Sequence, residues 1–273
     1  MITRFNSLAP RRKILVAGVA LLVFAVAGTA AVAAVSSGDH GSAVAGQNPT
    51  ARDPLRGRPG PVLLVPGYGG STGALSVLAG RIRASGRQAT VVNLPGTGTG
   101  SLIQDATVLD AAVTRALRGG AQSVDVIGYS AGGVTALLWA RDDGGTRKAR
   151  RVITLGSPFH GASIAAAAEG FVPGACPAAC QQLIPGSSLL AGLAAGAPGG
   201  LRWLSLWTTN DQTVTPPDSA RLTGAINVPI QSVCPGQQIS HSQLPTNPVV
   251  TRIVLQAIGA GPIAAPAGSD CHP

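Results

Sequence analysis

Between residues 61 and 260, apolar positions alternate between two rhythms. Short unbroken runs predict strands: Val62-Leu63-Leu64-Val65, Thr90–Leu94, Val124–Ile127, Val152–Leu155, Leu204–Trp207 and Val228–Val233. Between these runs the spacing turns helical, over Ala74–Ala84, Leu102–Leu117, Ala131–Ala140 and Val249–Ile258. In Leu102–Leu117, for example, the apolar residues fall at Ile103, Ala106, Val108, Leu109, Ala112, Val113 and Leu117. Strands this apolar must be covered on both faces, so the pattern predicts an α/β fold: a mainly parallel sheet of about six strands flanked by helices. Pro229 lacks the N–H that an inner ladder needs, which puts the last strand at or near an edge. Pro158–Gly200 breaks the alternation and is too long for an ordinary loop. It is rich in Ala and Gly, and fits either a cap over a site or a pair of packing helices.

The N-terminus reads differently. Arg4, Arg11, Arg12 and Lys13 precede the apolar or weakly polar run Ile14–Val35, the order an export signal needs. Ala31-Val32-Ala33 and, further on, Ala43-Val44-Ala45 offer small-residue cleavage sites. The run also approaches the ~20 residues that span a bilayer, so an uncleaved anchor is the alternative. Basic residues would stay inside in that case, leaving the rest of the chain outside. The Arg11-Arg12 pair is only a weak hint of twin-arginine export. The expected organisation is a signal peptide or signal anchor over 1–35, a flexible Gly- and Pro-containing linker over 36–60, and one domain over 61–273, with 158–200 as its possible cap or lid.

Composition narrows the function classes. Apolar residues make up 45% of the 273, aromatic residues 3% and charged residues 11%, the reverse of a disordered chain. The net charge is +9, yet the Arg residues are scattered and have no aromatic partners. A nucleic-acid surface is therefore not expected. The tightest basic cluster, Arg147, Lys148, Arg150 and Arg151, reads as a solvated loop ahead of a strand. The 4 cysteines, Cys176, Cys180, Cys234 and Cys271, sit behind an export signal and suggest disulfides. Of the possible pairings, Cys176–Cys180 would close a short local loop and Cys234–Cys271 would pin the C-terminal tail. Zinc is disfavoured because the spacing matches no zinc pattern.

The chemistry-bearing motif is Gly128-Tyr129-Ser130-Ala131-Gly132. A Gly-x-Ser-x-Gly match is weak by itself in a chain with 37 glycines. Here it follows a predicted strand and opens a predicted helix, the setting of a nucleophile elbow. In that setting Gly128 and Gly132, two positions before and after the serine, relieve collisions, and the serine is lifted above the sheet edge. The N–H of Ala131 is then one oxyanion donor. Val65-Pro66-Gly67-Tyr68-Gly69-Gly70 follows an early strand, and its Tyr68 N–H is the second candidate. A Walker loop would need Gly-Lys-Ser/Thr, and a dinucleotide loop would need Gly where Thr72 stands.

Pro-Gly-Tyr-Gly-Gly after the first strand, Gly-Tyr-Ser-Ala-Gly-Gly, and Gly-Ser-Pro-Phe-His-Gly after the next strand together resemble secreted bacterial lipases of the α/β-hydrolase superfamily. The chain is similar to the actinobacterial and Bacillus-type small lipases, although many members carry His-Gly where this chain has Pro66-Gly67. The resemblance spans about residues 61–260. It implies a Ser–acid–His order along the chain. His241, between the last strand and the final helix, takes the base position; His160 comes too early, while His40 and His272 fall in the linker and the tail. Asp211 fits the family's strand–turn–Asp-x-x-Val-x-Pro pattern as the acid, with Asp218 as the fallback or, more simply, a helix N-cap.

These expectations amount to a carboxylic ester hydrolase, a lipase or esterase, working through an acyl-serine with no cofactor and no metal. It would be monomeric, extracellular or anchored with the domain outside, with a lipid or ester substrate as its partner and a membrane or lipid interface as a candidate contact. A polyester or cutin-type depolymerase and an acyltransferase would use the same machinery. A non-catalytic membrane-tethered binding protein is the alternative from another class.

Overall fold

The computed structural model describes residues 57–171, 174 and 176–271; the expected signal or anchor segment, most of the linker, His40 and His272 lie outside them. In chain order the elements are β1 (Val62–Val65), α1 (Gly73–Ala84), β2 (Ala89–Val91), α2 (Leu102–Arg118), β3 (Val124–Tyr129), α3 (Ala131–Asp142), α4 (Gly145–Lys148), β4 (Ala149–Leu155), α5 (Ser163–Phe171), α6 (Ala178–Gln182), α7 (Ser188–Gly192), β5 (Arg202–Trp207), β6 (Ile226–Pro229), α8 (Ile230–Val233) and α9 (Pro248–Ala257). Among the described residues no helix is long and apolar enough to cross a membrane.

The strands form one 6-stranded sheet, in the order β2-β1-β3-β4-β5-β6. Every pairing is parallel. Alternate residues of each strand face opposite sides, and both sides are apolar. Leu63, Val65, Val126, Val152 and Trp203 point into a core shared with α2, α3 and the 158–200 segment. Val62, Leu64, Ile127, Ile153 and Leu204 point into a second core under α1 and α9. Leu64, Ile127, Ile153 and Leu204 are cross-strand partners in one row, each fully buried, and each worth ~1.5–3 kcal/mol of apolar transfer.

This register brings the C-terminal ends of β1, β3, β4 and β5 to one rim. Strand order reverses between β1 and β3, so the connections after these two strands diverge and open a crevice between them. The loop that starts at Pro66 and the turn at Ser130 leave from that point.

Some elements differ from the pattern reading. The run Val228–Val233 is not a single strand: β6 ends at Pro229, and Ile230–Val233 coils into α8, closed by Cys234 N–H donating to the Ile230 carbonyl at 2.8 Å. β6 is the sheet edge, where Pro229 can be tolerated. The 158–200 segment holds α5, α6 and α7. It is tied on one side to Thr215, which accepts from Ser163 N–H at 2.9 Å, and on the other to Thr99, which accepts from Ala179 N–H at 3.2 Å.

The basic cluster is also corrected. Arg150 and Arg151 are not in a solvated loop; they belong to β4 and are 9% and 6% exposed. Arg150 grips the fully buried Asp125 carboxylate through Nε at 2.9 Å and Nη2 at 2.5 Å, and Arg87 adds a contact at 2.8 Å. Arg150 also donates to the carbonyls of Ile258 and Gly259, and Arg151 to those of Ala257 and Gly261. The two guanidinium groups thus satisfy the open carbonyls at the C-terminal end of α9, where positive charge is favoured.

Candidate active site

Ser130 occupies the turn between β3 and α3 with φ 53° and ψ −128°, the one non-glycine residue with positive φ among those described. A side chain there is strained, and the strain is held in place from two directions. Ser130 N–H donates to the Leu155 carbonyl at 2.8 Å, and Gly133 N–H donates to the Ser130 carbonyl at 2.9 Å. The flanking glycines explain how the turn closes. A Cβ at Gly128 would fall 2.5 Å from Gly133 Cα, and one at Gly132 would overlap the carbonyl oxygens of Val65 and Pro66. The start of α3 therefore lies directly on the end of β1.

That contact places the Pro66–Gly70 loop beside the serine. A Cβ built on Gly67 would lie 2.9 Å from Ser130 Cβ and 3.5 Å from its Oγ. The loop is braced by Gly70 N–H donating to the Gly67 carbonyl and by Gly69 N–H donating to the Gly98 carbonyl, both at 3.0 Å. The N–H groups of Tyr68 and Ala131 have no protein acceptor among the described residues.

Asp211 follows β5 and is 4% exposed. Its Oδ1 accepts the N–H groups of Thr213 at 2.9 Å and Val214 at 2.8 Å. This fixes the carboxylate plane and aims Oδ2 at His241, whose Nδ1 lies 2.6 Å away. His241 opens a short 3₁₀ turn, His241–Gln243, and is 6% exposed. Its other ring nitrogen, Nε2, and the Ser130 hydroxyl have no protein partner among the described residues, each other included.

Two residues that sequence reasoning gave no role hold the imidazole. Tyr129 lies against the ring, with centroids 5.1 Å apart, and its hydroxyl donates to the His241 carbonyl at 3.3 Å. Burial first, and the Asp211 charge second, push the Tyr129 phenol up to about 12, so it stays neutral. Gly156 follows β4 with φ +59°, and a Cβ there would meet His241 Cε1 and Nδ1 at 3.1 Å. Ser130 and His241 are therefore both seated on the dipeptide Leu155-Gly156. The signal for Gly156 was present, as a glycine directly after a strand, but nothing local said that a ring would rest on it.

The other candidates lie elsewhere. His160 is exposed. Asp218 is exposed and is not an N-cap: the 3₁₀ turn Pro217–Ala220 begins one residue earlier, with Pro216 as its cap, because Pro217 is already set for a first helical position. Cys176 pairs with Cys180, and Cys234 with Cys271. A cleft of about 690 Å³ lies at the opposite ends of the strands, by Arg58–Pro61, Arg87 and Arg115, and contains none of Ser130, Asp211 and His241.

Known proteins share this fold. The fold is similar to that of Aspergillus fumigatus lipase B, at 19% identity and TM-score 0.62, over 76% of this chain and 54% of that one. It is also similar to Bacillus licheniformis lipase BlEst2 in mature form, at 17% identity and TM-score 0.59, over 76% of this chain and 93% of that one. The propeptide form of BlEst2 aligns at 19% identity and TM-score 0.60, over 79% of this chain and 52% of that one. The chain thus spans only about half the length of the Aspergillus enzyme and of the propeptide form. No curated protein matches it in sequence. Residues 118–259, from the end of α2 through the end of α9, match the family described as "Alpha/beta hydrolase of unknown function (DUF915)", and with more than half of its length covered the chain belongs to that family.

Proposed function

We propose that this protein is a serine carboxylic ester hydrolase, a lipase or esterase, with Ser130, His241 and Asp211 as its triad. The observation that supports this most is the buried 2.6 Å contact between Asp211 and His241, set beside a serine held at positive φ. Asp211 holds the proton on Nδ1, which leaves Nε2 as the base. In the proposed step the Ser130 hydroxyl passes its proton to Nε2 while Oγ attacks the ester carbonyl carbon. The carbonyl oxygen takes the negative charge and is met by the unpartnered N–H groups of Tyr68 and Ala131. Collapse breaks the bond to the alcohol, which leaves with the proton from Nε2. Water, deprotonated by the same nitrogen, then releases the acid from the acyl-serine.

On this reading the 158–200 segment caps the site, and the basic-then-apolar N-terminus exports the chain or anchors it with the domain outside. The lipase names of the structural neighbours, together with the apolar exposed side chains Tyr68, Ile164 and Phe171, favour a lipid-like ester. The test is covalent labelling with a fluorophosphonate, followed by hydrolysis of p-nitrophenyl esters of graded chain length and of emulsified triglyceride. Wild-type protein should be labelled at Ser130 and Ser130→Ala should not. Folded wild-type protein that takes up no label would end the proposal, and the choice between emulsified and soluble esters separates lipase from esterase.

A further inference from the structure

The acid and the base sit on separate connections, after β5 and after α8, and one side chain spans them. Gln231, the second residue of α8, accepts the Thr209 N–H on Oε1 at 2.9 Å. Its Nε2 lies 2.9 Å from each of Thr208 Oγ1, Asn210 Oδ1 and the Gln237 carbonyl oxygen. Thr208 Oγ1 in turn donates to the Ile239 carbonyl at 2.7 Å. Residues 208–210 lead into Asp211, and 237–239 lead into His241. The amide is thus bonded to both approaches to the Asp211–His241 pair while touching neither residue. Its own backbone is fixed: α8 follows the edge strand directly, and its far end runs into Cys234, which is bonded to Cys271.

We propose that Gln231 is a positioning residue that locks the Asp211 loop to the His241 loop, so that carboxylate and imidazole reach Ser130 as one unit. The inference rests on the ester-hydrolase reading. A primary amide suits the role because it offers an acceptor to one loop and donors to both; a carboxylate of the same length keeps the acceptor and loses the donors. Misplacing a general base by a fraction of an ångström affects the chemical step more than substrate binding.

The experiment combines steady-state kinetics on a p-nitrophenyl ester with proton NMR of the full-length protein, for wild type, Gln231→Ala and Gln231→Glu. The reporter is the downfield Nδ1 proton of His241, assigned by its loss in His241→Ala. Both Gln231 variants should fold, with kcat down ~10–100-fold. KM should stay within ~twofold, and the downfield proton should broaden. A folded variant that keeps wild-type kcat, or one that loses kcat while the downfield proton stays sharp, overturns the proposal. If Gln231→Ala does not fold, Gln231→Glu carries the test. If wild-type protein takes up no fluorophosphonate, the ester-hydrolase reading has failed instead, and the NMR comparison still reports whether Gln231 holds the pair together.

Discussion

Asp211 Oδ2 and His241 Nδ1 lie 2.6 Å apart, although 30 residues separate them in the chain. The carboxylate is anchored from behind by Thr213 and Val214, so it fixes which ring nitrogen carries the proton. Asp211→Asn should keep those backbone contacts through its carbonyl oxygen and present an NH₂ group to Nδ1. The imidazole would then carry its proton on Nε2 and could not accept one from Ser130. We expect kcat to fall ~10³–10⁴-fold with little change in melting temperature. Stopped-flow ester hydrolysis checks this, and a fall smaller than ~tenfold would remove Asp211 from the triad.

Gly156 should tolerate no side chain. Its φ is +59°, and a Cβ would come within 2.8 Å of Leu244 Cδ1 as well as 3.1 Å of the imidazole. Gly156→Ala should therefore push the ring off its seat and lower kcat by ~10–100-fold. The rate of fluorophosphonate labelling reports this directly, because it depends on Ser130 activation and not on substrate fit. Labelling at the wild-type rate would mean that the ring is held some other way.

Much of this arrangement was legible in the sequence, for physical reasons that also mark where it stopped. Strand and helix periods differ, so Val62–Val65 or Leu102–Arg118 announce themselves without any tertiary information. The elbow was legible because its signature is local: Gly128 must clear Gly133 within the turn itself, even though Gly132 must clear the distant carbonyls of Val65 and Pro66. Asp211 and His241 could be assigned only by order along the chain and by resemblance; nothing local in either segment states that they meet. Gln231 was invisible, since its partners are set by how the connections after β5 and β6 fold against each other. Ile230–Val233 looked like strand because β-branched residues favour strands, whereas the tertiary tie at Cys234 favours a turn of helix. Arg150 and Arg151 looked solvated because their partners, Asp125 and the end of α9, are distant in sequence.

That buried cluster makes its own prediction. Asp125 is fully buried between Arg150 and Arg87, with side-chain exposures of 0%, 5% and 16%. Asp125→Asn would leave two guanidinium groups facing each other without a counter-charge. Removing one partner from such a cluster costs ~3–5 kcal/mol. Urea unfolding should show this loss, while fluorophosphonate labelling below the transition should continue, because the cluster lies at the far ends of the strands from Ser130. A loss under ~1 kcal/mol would show that water or rearrangement replaces the carboxylate.

The phenol of Tyr129 predicts a stability change in alkali. Burial, then the Asp211 charge, raise its pKa from 10.0 to about 12 in the folded protein. Between those values the unfolded chain releases the phenol proton while the folded chain retains it. Fewer protons bound in the unfolded state mean that stability falls as pH rises. The contribution is complete below about pH 10 and is gone once the pH has passed about 12. Tyr129→Phe keeps the ring against His241 and has no proton to lose, so its stability should decline less steeply across that window. Urea midpoints for both proteins from pH 9 to pH 12, compared as differences so that other titrating groups cancel, test this. Parallel curves would mean that the hydroxyl is solvated and that the Asp211 charge does not reach it.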